Sequence, residues 1–219
     1  VSVKKLLLAC FLLLVCVSAT KADPISFVFN LAAGNIGPVD TFTAGRASLV
    51  VSGYDTPAVL SPLFEKNQSP TEFGLGLAGG PDNEISGNFF IQLNFKAIEG
   101  LKPSQVTLGL NSIQVSSVGS DTYSVWGSNT QGQLGTLLAS NQTGSTFDIT
   151  NAIGTNQFIS VTAPGMESAP SATVLLDSVD VTIPVTTPTP EIDTAVMALT
   201  GVGMLFGIFI ARKRHWVAS

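Results

Sequence analysis

Asp82, Glu84 and Ser86 stand at alternate positions ahead of Gly87 in the run Asp82-Asn83-Glu84-Ile85-Ser86-Gly87. Oxygen side chains at positions one, three and five with glycine at six begin an EF-hand loop, which wraps a hard cation. The carboxylate that such a loop needs at position twelve is replaced by Leu93. The pattern predicts an ordinary acidic turn, with calcium held by Asp82 and Glu84 as the alternative; no other cofactor is implied. Just upstream, Gly74-Leu75-Gly76-Leu77-Ala78-Gly79 has the spacing of a dinucleotide-binding loop. Gly80-Pro81-Asp82 breaks the chain where a pyrophosphate-binding helix would have to start, so a flexible or bulged β-loop is expected instead.

Other chemistry is limited by composition. The single histidine, His215, lies in a short basic tail, and both cysteines, Cys10 and Cys16, lie in the first apolar run. The middle of the chain therefore has no Ser-His-Asp or Cys-His set and none of the usual zinc ligands. Glycoside hydrolysis by a carboxylate pair drawn from Glu65, Glu72, Glu84 and Glu99 is the one familiar reaction left. These glutamates are more simply surface charges, and the chain is read as a non-enzyme. Sugars are also gripped by exposed rings. Trp126 and Tyr54 are the candidate platform, although Trp126 falls on the strand face opposite Tyr123 and Val125, and core packing is the first expectation for it.

The elements that must position these residues are strands. Ile25, Phe27, Phe29 and Leu31 alternate with other residues, as do Ala47, Leu49 and Val51. Phe89, Ile91, Leu93 and Phe95 put four large apolar groups on one face, marking a central strand. Further strands are expected at 106–110, 112–118, 121–128, 133–139, 146–149, 157–162 and 173–183. In the last of these the apolar phase shifts between Val174/Leu176 and Val179/Val181/Ile183, which predicts a bulge near Asp177-Ser178. No helical period is sustained before Thr194. The expected fold class is all-β: an antiparallel, jelly-roll-like β-sandwich ectodomain over 23–183. Residues 23–190 carry thirteen Asp and Glu against Arg46, Lys66, Lys96 and Lys102, a net charge of −9. Such a surface repels phosphate, and no nucleic-acid partner is expected.

The two ends read as addresses. Lys4-Lys5 precede the apolar run Leu6–Val17, with small residues at Ala19 and Ala22, the pattern of a signal peptide over 1–22. Pro184 begins a Thr/Pro linker, 184–193. Residues 194–211 carry no charge and reach roughly 27 Å as a helix, enough to cross a bilayer core. Arg212, Lys213 and Arg214 open the tail 212–219 and hold it in the cytoplasm.

A Thr/Pro spacer, the motif Pro190-Glu191-Ile192, a short Gly/Ala/Met-containing span and a basic tail together resemble the PEP-CTERM sorting signal of Gram-negative bacteria. The third motif position is Ile192 where that family has proline. The resemblance implies an exosortase-like protease as partner and a cut near the motif. Leu63–Asn67, Glu72–Leu77, Asn83–Ile85, Phe89–Phe95, Tyr123–Thr130 and Leu134–Leu138 are similar to ectodomains attached to such signals, a group that supplies no catalytic residues. The expectation is an exported protein, anchored in the inner membrane with its ectodomain outside or passed on to the cell surface or matrix. Its expected role is structural or adhesive, with exopolysaccharide binding as the alternative.

Overall fold

The computed structural model describes residues 21–29, 33–68, 72–111, 121–164 and 173–185. Alternating apolar residues build two antiparallel sheets. The first contains β1 (Lys21–Val28), β2 (Gly34–Gly37), β6 (Leu63–Gln68), β7 (Glu72–Leu77), β9 (Gln105–Asn111), β12 (Thr146–Asp148) and β14 (Leu175–Val185). Its order is β12-β9-β14-β7-β6-β2, with β1 also paired to β14. The second contains β3 (Val39–Ala44), β4 (Ala47–Thr56), β5 (Val59–Leu60), β8 (Phe90–Asn94), β10 (Tyr123–Ser128), β11 (Thr136–Gln142) and β13 (Phe158–Thr162). Its order is β11-β10-β13-β8-β4-β3, with β5 paired to β4. Two single-turn helices, α1 (Lys96–Glu99) and α2 (Thr150–Ile153), lie between strands.

Residues of both sheets share one core, as in a β-sandwich. Leu49, Val51, Ile91, Leu93, Ile159 and Val161 come from the second sheet; Leu75, Leu77, Val106, Leu108, Val179 and Val181 come from the first. Removing each such side chain from water stabilises the fold by about 1.5–3 kcal/mol. β8 lies between β13 and β4, as its alternation predicts. The bulge is also present: the register of β14 against β9 shifts between Leu176 and Ser178. The extra residue lets Leu176 and Val179 both reach the core, and the Asp177 carbonyl accepts a hydrogen bond from the Phe29 amide at 3.0 Å.

Several expectations change. β1 starts at Lys21, inside the expected signal segment, and β14 carries Pro184 and Val185 of the expected linker. β6 and β7 form a regular hairpin pairing where a loop was expected around Gly74–Gly79. β11 begins three residues later than expected, and Gly132 and Gln133 before it bond to Gln92 of β8 instead. The rest of segment 1–22, strand 112–118, the motif Pro190-Glu191-Ile192, the span 194–211 and Arg212, Lys213 and Arg214 lie outside the described residues. Among the described residues no helix is long and apolar enough to cross a membrane.

Candidate functional site

On β6, Glu65 pairs with the core residue Leu75, so its neighbour Lys66 projects from the opposite face, across from Gly74. That face is covered by the chain itself. A 3-10 turn, Pro81–Asn83, lies against β7, and a Cβ on Gly76 would run into the Asn83 carbonyl and sit 2.9 Å from the Glu84 Cα. The glycine spacing thus serves close backbone approach, which only glycine permits. Asp82 and Asn83 take the left-handed conformation, φ 52° and 60°, which short polar residues tolerate best after glycine.

The turn delivers its carboxylates to Lys66. The ammonium lies 2.6 Å from Asp82 Oδ2, 2.6 Å from Glu84 Oε1 and 2.9 Å from Glu72 Oε2. Its three N–H groups match the three acceptors. Lys66 and Glu84 are fully buried, whereas Asp82 reaches solvent. Burial pulls the lysine pKa down, but the hydrogen bonds it donates to Asp82, Glu84 and Glu72 outweigh it and hold the ammonium above its ordinary range.

Asp82 and Glu84, the candidate calcium ligands, do come together, and Glu72 joins them with all three ligand oxygens within 4.8 Å of one another. Calcium takes six to eight oxygens at 2.3–2.6 Å. Here the centre of the three carboxylates is filled by a buried ammonium, so a resident calcium does not fit this donor set while Lys66 stays in place.

The same cluster bears on hydrolysis. Of Glu65, Glu72, Glu84 and Glu99, Glu72 and Glu84 share the Lys66 ammonium. Glu84 is sealed from solvent, so no glycosidic oxygen can reach it. Glu65 is buried on the core side of β6, and Glu99 sits exposed in α1.

The aromatic candidates separate. Tyr54 is buried, stacked on Phe90 with centroids 4.8 Å apart and planes 15° apart, so it offers no free face. The loop after β10 covers it: Gly132 donates to Gln92 Oε1 at 2.7 Å, Gln92 Nε2 donates to the Gln133 carbonyl at 3.0 Å, and Ala58 donates to the Gly132 carbonyl at 2.9 Å. Core packing fails for Trp126, because Tyr123 and Val125 take the core side of β10. Trp126 is half-buried on the outer face beside the exposed Leu137, its Nε1 donating to Thr162 Oγ1 at 3.0 Å.

A third feature carried no sequence signal. Where β8, β10 and β13 end side by side, Lys96, Glu99, Asn129, Thr155, Asn156 and Gln157 line an open pocket of about 230 Å3. Its residues come from three distant stretches, so only the strand order gathers them. Lys66 was missed for a related reason: it lies in Leu63-Phe64-Glu65-Lys66-Asn67-Gln68, where neither alternating set is wholly apolar.

In comparisons with known proteins the chain matches no family model, no curated protein and no solved structure.

Proposed function

We propose that this chain is an exported protein of a Gram-negative envelope or extracellular matrix, whose jelly-roll-like ectodomain has a structural or adhesive role. The observation that carries the reading is the order of parts at the C-terminal end: Pro190-Glu191-Ile192, the uncharged residues 194–211 and Arg212-Lys213-Arg214. Signal segment 1–22 starts export, 194–211 holds the chain in the inner membrane, and an exosortase-like protease cuts near Glu191. Because β1 begins at Lys21, a cut after Ala19 leaves that strand whole, whereas a cut after Ala22 shortens it. The closure of Glu72 and Glu84 on Lys66 supports a structural role over hydrolysis.

Replacing Pro190 and Glu191 by alanine tests the sorting step. The variant is expected to accumulate in the inner membrane at higher apparent mass than the wild-type chain. Equal mass and equal distribution of the two proteins would sink the reading.

A second reading, retention of exopolysaccharide, is favoured by Trp126. Its ring is fixed by Thr162 and lies in a stretch, 122–147, without a charged residue. An oriented, half-exposed indole can stack on a pyranose face.

A further inference from the structure

The end of the second sheet carries a wall of amides that the sorting reading does not use. Ser128, Phe158 and Asn94 form the last paired row of β10, β13 and β8. Just past that row, Gln157 donates its backbone N–H to Asn129 Oδ1 at 2.9 Å, and Asn129 Nδ2 donates to the Thr155 carbonyl at 3.1 Å. Asn156 Nδ2 donates to the Ala152 carbonyl at 3.0 Å and to Thr155 Oγ1 at 2.9 Å. The Asn156 amide packs on Gly127, where a Cβ would lie 2.6 Å from its Cγ. These bonds fix the pocket wall before any ligand arrives, which reduces the ordering cost of binding.

At the mouth stand groups with bonding capacity to spare. Among the described residues the Lys96 ammonium, the Glu99 carboxylate and the Gln157 side-chain amide have no hydrogen-bond or ion-pair partner. One cation, one anion and an amide give a locally neutral rim on an ectodomain of net charge −9. An ion of either sign meets a like charge there as well as an opposite one, so neither sign is favoured. Hydroxyl groups, which donate and accept, can use all three. The volume, about 230 Å3, falls below the 300–1,000 Å3 of pockets for drug-sized ligands and suits one ring.

We propose that this pocket binds a single neutral sugar residue of a polysaccharide, with Gln157, Lys96 and Glu99 bonding its hydroxyls and Asn129 and Asn156 holding the wall. The proposal deepens the polysaccharide reading and rests on it; it is independent of the cut near Glu191. A small ligand with few polar contacts is expected to bind in the millimolar range.

The test is a titration of the 15N-labelled full chain in detergent micelles with the methyl glycosides of glucose, galactose, mannose and N-acetylglucosamine, and with glucuronate. The expected result is saturable shifts of the Asn129, Thr155, Asn156 and Gln157 amides with at least one neutral glycoside. Gln157→Ala and Glu99→Gln should each weaken that binding about 10-fold, the loss of roughly one hydrogen bond to a charged or oriented group. Shifts confined to Trp126 and its neighbours would overturn the pocket proposal while leaving the polysaccharide reading. Binding of glucuronate alone would also overturn it, and no saturable shift with any sugar would sink both.

Discussion

Lys66 Nζ and Glu84 Oε1 lie 2.6 Å apart with both side chains wholly excluded from solvent. A buried charge pair adds little over a well-packed apolar pair, but removing one partner leaves an uncompensated charge inside the protein. Lys66→Met removes the ammonium that the buried Glu84 shares with Glu72 and Asp82. The expected cost is about 3–5 kcal/mol, read from the midpoint of urea unfolding. A loss below ~1 kcal/mol would show that water or another group replaces the ammonium.

Alkaline solution should dissolve the same advantage. The folded lysine pKa is raised, so its contribution is fully present below the unfolded value of about 10.4 and fades as pH rises through the folded value. The stability gap between wild type and Lys66→Met should hold steady from neutral pH to about 10 and narrow above it. Urea unfolding across that range checks the sign; a gap that widens with alkali contradicts the assignment.

Gly76→Ala should loosen the same region from the other side. Its Cβ runs into the Asn83 carbonyl, so the turn must lift off β7. Forcing atoms into such a packed contact costs about 1–3 kcal/mol. Gly100→Ala is the matched control: its nearest contact is 3.4 Å, and its effect should stay within about 0.5 kcal/mol. Equal effects at the two sites would contradict the packing of the turn.

Parts of this were legible in the sequence and parts were not, for physical reasons. Strands that bury one face against the core, such as Phe90–Asn94, announce themselves by period two, and the phase slip at Asp177-Ser178 announces its bulge. The β6–β7 pair does not, because its second face is covered by Pro81–Asn83 rather than by water, so lysine and glycine occur where polar surface residues normally would. Asp82 and Glu84 could be recognised as converging oxygens, but their cation lies 16 and 18 residues earlier on another strand. Trp126 and Tyr54 exchange their expected environments because the loop over Gln92 buries Tyr54 from outside the sandwich, a contact set by folding rather than by local spacing.

Tyr123 gives a prediction of opposite sign. Its ring fills the core, and among the described residues its buried hydroxyl has no hydrogen-bond partner. Burial raises the phenol pKa, which keeps it protonated. Removing an unsatisfied polar group while keeping the ring is expected to be neutral or stabilising by up to about 1 kcal/mol, so Tyr123→Phe should not lower the thermal midpoint. Leu93→Ala, in the same core, should cost about 2–5 kcal/mol. A clear destabilisation by Tyr123→Phe would mean that the hydroxyl has a partner.

The most direct test of the sorting account is the intact mass of the protein from its native cells, taken separately from inner-membrane and medium fractions. The expected species begins after Ala19 or Ala22, ends between Glu191 and Asp193, and is enriched outside the inner membrane. A species that keeps residues 194–219 and is found only in the inner membrane would contradict the sorting step. It would instead indicate a β-sandwich held at the membrane by an uncut anchor.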